Sequence, residues 1–282
     1  MRQADGMVLH PLLGVDEVLA VEPHLGRVGE VFRAFREQDS GCVSYGVRLL
    51  DGARWFVKES VTDCARRSLE RGWAFHRAVR HRAIVPQVHR IAVRGGGWAV
   101  VMPWREGEVL YHPTARGHRD RTTPGSPMAR FRALPATRVL RAFERVLDAH
   151  LAVEAAGHVA VDFYDGALLY DFAADVAHLV DLDEYRPGPF VVEEERLPGS
   201  RRFMAPEEFV RGSVIDTRTT VFTLGRTARL LLDAGDEERA WRGTPAQQAV
   251  IVRATRADPD DRFENVHRFA DAWRAAHARQ GV

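Results

Sequence analysis

Trp55-Phe56-Val57-Lys58 follows the turn signal Asp51-Gly52. Its short run of aromatic and β-branched residues reads as a strand. The run ends on the chain's one lysine. Lysine and arginine together number 40, of which one is Lys58 and 40 − 1 = 39 are arginine. An ammonium is a compact point charge on a flexible stem, whereas a guanidinium is a wide planar fork. A site that must fit one small cation between oxygens selects the ammonium, so Lys58 is the first candidate for chemistry. Chance survival in an arginine-biased composition is the plain alternative.

Outward from Lys58, the pattern is that of a sheet. Val31-Phe32-Arg33-Ala34-Phe35 and Val43-Ser44-Tyr45-Gly46-Val47 alternate, and with Trp55-Phe56-Val57 they make three antiparallel strands. Residues 62–80 are charged and helical, with Leu69, Trp73, His76 and Val79 on one face. Ile84-Val85, Ile91-Ala92-Val93 and Trp98-Ala99-Val100-Val101-Met102 read as further strands, with Gly95-Gly96-Gly97 as a turn. Residues 1–30, apolar at Leu9, Leu12, Leu13, Val18 and Leu19, read as an extension packed on the main body. After Pro103 the character changes. Residues 111–134 are a Pro/Gly/Arg-rich insert of loop and short helix. Pro135 opens a helix to about Ala156, with Val139, Leu140, Phe143, Val146, Leu147 and Leu151 on one stripe and Gly157 after its end. Apolar runs follow at 167–170 and 178–182, and from about 205 the chain is helical. The layout is α+β, β-rich before residue 105 and α-rich after it.

Composition narrows the function classes. The chain has 282 residues, 45% hydrophobic and 28% charged, as in soluble globular proteins. A net charge of +1 gives no footprint for nucleic acid or an anionic membrane. Cys42 and Cys64 offer neither a disulfide framework nor metal-ligand spacing, so a reducing cytoplasmic setting is expected. No apolar run approaches a membrane span, and the first residues lack a signal pattern.

Gly199-Ser200-Arg201-Arg202-Phe203-Met204-Ala205-Pro206-Glu207 resembles the end of a protein kinase activation segment. Val221-Phe222-Thr223-Leu224-Gly225 is similar to the family's central buried helix, and Asp258-Pro259-Asp260-Asp261-Arg262-Phe263 to its late Asp-Pro-x-x-Arg-Phe element. From about residue 31 to 275 the chain therefore resembles the protein kinase superfamily, in particular bacterial serine/threonine kinases. The resemblance implies a bilobal protein-kinase-like fold: an N-terminal extension over 1–30, a β-rich N-lobe with one helix over 31–104, and an α-rich C-lobe over 105–282 carrying the insert 111–134. It implies an ion pair between Arg262 and Glu207.

The resemblance also implies roles. Lys58 would hold the ATP phosphates and pair with Glu70 on the helix. Gly41 and Val43 would cover the nucleotide. Met102 would be the gatekeeper, with the carbonyl of Pro103 and the N–H of Arg105 facing the adenine and Leu169 beneath it. In Gly157-His158-Val159-Ala160-Val161-Asp162, Asp162 would be the catalytic aspartate. In His178-Leu179-Val180-Asp181-Leu182-Asp183, Asp181 would bind Mg²⁺ or Mn²⁺, with Asp183 or Asp165 as further ligands. His118-Arg119-Asp120 also spells a kinase motif, but it lies in the insert with no long helix before it and no apolar strand after it, so it reads as a coincidence.

The departures are as specific as the matches. Ala160 and Val161 replace the His and Arg of the catalytic motif, and Tyr164 replaces its Lys. Ala167 stands where an Asn metal ligand is expected, Asp183 replaces a Gly, and Thr220 replaces the Asp that braces the catalytic loop. Arg36 and Gln38 occupy two glycine positions of the phosphate loop. From Glu184 to Gly199 there is no Ser or Thr, and Tyr185 is the one hydroxyl, so activity independent of phosphorylation there is expected. The expected function is an ATP-dependent transfer of the γ-phosphate to a hydroxyl on a protein or small molecule. The alternatives are a nucleotide-binding pseudokinase or scaffold, favoured by Ala167 and Tyr164, and a small-molecule kinase, favoured by the short stretch Asp233–Thr244.

Overall fold

Alternating side chains carry the first half of the chain and a 3.6-residue period the second. The structure, a computed structural model, describes residues 10–38, 40–112 and 121–278. The chain divides into two compact units, Met1–His76 with Val85–Arg105, and Arg77–Ile84 with Glu106–Val282.

In the first unit β1 (Glu17–Val18) precedes α1 (Val21–Val28), and then come β2 (Gly29–Phe35), β3 (Cys42–Leu49), β4 (Arg54–Ser60), α2 (Asp63–Ala78), β5 (His89–Val93) and β6 (Trp98–Pro103). The six strands form one sheet in the order β1-β5-β6-β4-β3-β2. All pairs are antiparallel except β1 with β5. Tyr45, Val47, Val57, Ile91 and Val101 from one sheet face enclose a core with Leu12, Val18, Val21 and Leu25. The expected extension is thus part of the sheet and its core: β1 adds a strand, and α1 with Leu12 covers one face. Ile84-Val85, expected as a strand, makes a single bridge, Ile84 to Leu179, within the second unit.

The second unit continues with β7 (Glu108–Val109), α3 (Pro127–Arg132), α4 (Ala136–Ala155), β8 (His158–Val159), β9 (Leu168–Asp171), β10 (Val176–Leu179), β11 (Arg186–Pro187), β12 (Phe190–Val191), β13 (Val214–Ile215), α5 (Thr217–Leu231), α6 (Pro245–Ala254) and α7 (Val266–Ala278). Pro135 caps α4 and Val139, Phe143, Val146 and Leu147 are its buried stripe. Gly157 follows at φ 69°, a left-handed stop that glycine adopts without penalty. On α5, an added Cβ at Gly225 would lie 2.9 Å from the Ala254 Cβ, so glycine permits the close approach of α5 and α6. The described residues hold seven α-helices and thirteen strands, an α+β chain. None of the helices is long and apolar enough to cross a membrane. His118-Arg119-Asp120 lies outside the described residues.

Candidate functional site

Lys58 sits on a central strand, directly between Ser44 of β3 and Val100 of β6. It is 7% exposed, and Ser44 is fully buried. Residues directly opposite across a ladder share a face. Lys58 therefore shares its face with Ser44 and Val100, and Phe56 with Gly46 and Met102. Val43 is opposite Glu59 and packs with the Tyr45–Val57 core on the other face. By this register Val43 and Lys58 lie on opposite faces of the sheet. Gly41 has a local reason to be glycine. Its φ is 70°, and an added Cβ would meet the Thr62 hydroxyl at 2.4 Å.

From α2, His76 is buried beside this lysine. Burial first, and then the Lys58 charge, lower its pKa to about 4, so the ring is neutral. Glu70 accepts a hydrogen bond from Trp98 Nε1 at 3.1 Å and lies 3.7 Å from Arg66 one helical turn earlier. Pro103 is paired with Trp55 in the sheet, the Trp104 N–H donates to the Arg54 carbonyl at 3.2 Å, and Arg105 is exposed.

The carboxylates lie in the second unit. Asp162 and Asp181 both have φ 58°. Left-handed backbone is uncommon outside glycine, although Asp tolerates it better than most. Two further non-glycine residues share it among the described residues, Asp175 and Glu238. Asp175 sits in the turn between β9 and β10, clamped by Arg138 and Arg141. Asp162 has its own scaffold. The Ala160 N–H donates to the Thr220 hydroxyl at 3.0 Å, so Thr220 braces the loop where the resemblance expects an aspartate. Val161 is 1% exposed and packs with Val192, Leu197, Met204 and Ile215. An arginine there would have to enter an apolar cluster, and that cluster already anchors the segment following Asp181. Phe163 meets the His150 ring edge-on at 4.7 Å.

His150 links this loop to Tyr185. Its Nδ1 is 2.8 Å from the Val146 carbonyl, which can only accept, so Nδ1 carries the proton. Nε2 then accepts from the Tyr185 hydroxyl, also at 2.8 Å. Tyr185 is 1% exposed, and burial followed by the Asp162 charge raises its pKa well above the usual phenol value. Arg186 pairs with Glu184 at 3.5 Å.

Asp165 opens the single turn Asp165–Ala167 and is 1% exposed. Arg121 grips both its oxygens, Nε to Oδ2 at 2.5 Å and an Nη to Oδ1 at 3.0 Å, and stacks on the Tyr111 ring. Asp165 is thereby neutralised within the chain, which argues against its expected use as a metal ligand. Ala167 is fully buried. The Tyr164 ring lies over Gly166, where an added Cβ would come within 2.4 Å of it. Asp183 is 4% exposed, Asp181 is exposed, and Leu169 is half-buried between Val109 and His178. Among the described residues no group of three or more His, Cys, Asp or Glu side chains is arranged to cage a metal ion.

Sequence reading missed three of these residues. Arg121 reads as one of many insert arginines. Thr220 reads as a loss. Glu208, beside the recognised Glu207, is 2% exposed and accepts from the Ala205 N–H at 2.6 Å. Burial, with the charges of Glu207 and Asp162, raises its pKa to about 8.

Three buried groups set a pH profile. His76 and His150 titrate near 4 folded and near 6.5 unfolded. The unfolded chain binds more protons in that window, so each makes stability rise with pH, by about 3 kcal/mol in all. Glu208 titrates near 8 folded and 4.5 unfolded, so it makes stability fall as pH rises through that range. The smaller shifts of His81 and Glu59 run in these same two senses. Stability is expected to peak near pH 6.5, with limbs of about 1.4 kcal/mol per pH unit on either side. Denaturant unfolding at pH 5, 6.5 and 8 reads this directly. Glu208→Gln should flatten the alkaline limb, and a steady rise from pH 5 to 8 in the parent chain would contradict the assignment.

No protein-family model matches the chain, and no curated protein matches its sequence.

Proposed function

We propose that the chain is an ATP-dependent phosphotransferase of the serine/threonine protein kinase type, with a bilobal kinase fold. The observation that carries this reading is the backbone of Asp162 and Asp181. The two carboxylates selected from sequence for catalysis and cation binding both sit on left-handed backbone at φ 58°. Residues kept in sparsely populated conformations concentrate at functional sites. The buried Lys58 and the Thr220 brace support it further.

The roles follow from charge. Asp162 takes the proton from the acceptor hydroxyl as its oxygen attacks the γ-phosphorus and the bond to the β-phosphate oxygen breaks. Lys58 holds the α- and β-phosphates. A hard cation takes one or two carboxylates and completes its shell with phosphate oxygens and water, so Asp181 and Asp183 suit Mg²⁺ or Mn²⁺ without a protein cage. When bound, the cation neutralises phosphate charge. The acceptor is a protein or small-molecule hydroxyl, in a cytoplasmic setting.

Ala167 and Tyr164 favour a second reading, a pseudokinase that binds nucleotide without turnover. Ala167 is fully buried and brings no side-chain oxygen, and Tyr164 brings no cation. The deciding experiment incubates the full chain with γ-labelled ATP and Mg²⁺ or Mn²⁺ and follows label into the chain, a generic protein and free phosphate. Label transfer that disappears in Asp162→Asn is expected. Asp183→Asn should raise the metal requirement about tenfold or more, while Asp165→Asn, whose carboxylate serves Arg121, should leave it unchanged. A folded chain that binds ATP and transfers no label would establish the pseudokinase reading instead.

A further inference from the structure

The buried stripe of α4 is apolar except at His150. Val139, Phe143, Val146, Leu147 and Val153 line it, and His150 sits among them with 0% exposure. Leucine would serve packing alone, because burying a polar ring costs free energy unless its nitrogens find partners. Both nitrogens do. Nδ1 donates to the Val146 carbonyl and Nε2 accepts from the Tyr185 hydroxyl, each at 2.8 Å. The ring also meets Phe163 edge-on at 4.7 Å and the tilted Tyr185 ring at 5.9 Å.

These contacts reach the two segments that carry the proposed carboxylates. Phe163 directly follows Asp162, and Tyr185 lies four residues after Asp181 and two after Asp183. The second segment is anchored on both sides. Before it, the Val180 N–H donates to the Ala167 carbonyl at 2.9 Å. After it, Arg186 pairs with Val159 in the β11–β8 ladder. Between those anchors Tyr185 ties the run to α4 through His150. The Val146 carbonyl fixes the tautomer, so Nε2 presents its lone pair in one direction, toward Tyr185. One buried imidazole is thus a support shared by both segments.

We propose that His150 is a positioning residue: through Phe163 and Tyr185 it holds the Asp162 segment and the Asp181–Asp183 segment at a fixed separation, so that their carboxylates act on one phosphoryl group. The proposal rests on the phosphotransferase reading and deepens it by naming the side chain that sets its geometry. Reacting groups tolerate little displacement, and a misplacement of about 1 Å can cost about 10²-fold in rate. Loss of an outer group that orients metal ligands changes metal affinity by about 10–100-fold.

The test compares the full chain with Tyr185→Phe and with the double variant His150→Phe, Tyr185→Phe, each read where denaturant unfolding shows it folded. The single variant strands a buried nitrogen and should unfold at lower denaturant. The double variant replaces both partners by apolar rings of similar shape and should regain the parent's midpoint. Turnover should not return with it. In both variants kcat is expected to stay about tenfold or more below the parent. The Mg²⁺ concentration for half-maximal rate should rise about tenfold, and KM for ATP at saturating Mg²⁺ should hold, because Lys58 is untouched. In the ligand-free double variant, amide hydrogen exchange in 160–163 and in 182–185 should quicken by about tenfold, the factor one lost hydrogen bond carries, while exchange in α5 stays as in the parent. Unchanged exchange in either segment, or a double variant with the parent's kcat, would overturn the positioning role and leave the phosphotransferase reading standing. A folded parent chain that transfers no label would overturn both.

Discussion

Lys58→Met is expected to abolish phosphotransfer while the chain still folds cooperatively. The methionine keeps an unbranched stem of similar volume on a strand where the residue is 7% exposed, so packing between Ser44 and Val100 survives. What disappears is a positive charge. A single preorganised electrostatic group typically contributes about 10²–10³-fold in rate, and Lys58 is the one proposed to hold the phosphates. Lys58→Arg should fail as well, since it puts a wide planar fork of five donors in place of a point charge at a buried strand position beside the His76 ring. That ring supplies an internal check. Its pKa is lowered first by burial and second by Lys58, so in Lys58→Met only burial remains and the ring should titrate higher than about 4. An NMR titration of His76 therefore reports that the charge has gone and that the surroundings remain. Undiminished turnover in a variant showing that shift would end the phosphotransferase assignment.

The register of β3 against β4 explains why one part of this site was legible in sequence and another was not. Alternation in Val43–Val47 and Trp55–Val57 announces two strands, and both are present. Which residues face each other is a pairing between strands, and a shift of one residue exchanges the faces. The resemblance set Val43 over the nucleotide with Lys58, while the ladder sets Ser44 opposite Lys58. β1 was invisible for a related reason. Two residues, Glu17 and Val18, show no period of their own and become a strand only beside Ala92 and Val93. Arg121 and Asp165 stand 44 positions apart, and nothing local marks one insert arginine as the partner of a buried aspartate. Long-period features fared better. The stripe of α4 and its glycine stop are local, and so they read directly from the chain.

Arg262→Met is expected to destabilise the chain by about 3–5 kcal/mol, the usual result of stranding one member of a buried ion pair. Few sites in the chain are so completely satisfied. Arg262 is fully buried and uses every donor of its guanidinium. Nε donates to the Arg256 carbonyl at 2.8 Å. One Nη donates to Glu207 Oε1 at 2.7 Å and to the Arg218 carbonyl at 3.1 Å. The other donates to Glu207 Oε2 at 2.8 Å and to the Ala257 carbonyl at 2.9 Å. A methionine leaves three carbonyls without this donor and strands a carboxylate, 9% exposed, that keeps a hydrogen bond from the Thr219 hydroxyl at 2.8 Å. At about 2–4 °C per kcal/mol for a chain of this size, the midpoint should fall by roughly 10 °C. Arg262→Lys keeps the charge but has three donors and no fork, so its loss should be smaller yet clear. Function should follow stability here. Glu207 sits in the turn Pro206–Phe209 with Glu208, whose carboxyl feels the Asp162 charge, so freeing Glu207 disturbs the support of the proposed catalytic aspartate. Calorimetric melting of the two variants checks the first part and turnover well below the melting point checks the second. A loss below about 1 kcal/mol in Arg262→Met would place this pair among the weak surface bridges and remove it from the framework of the site.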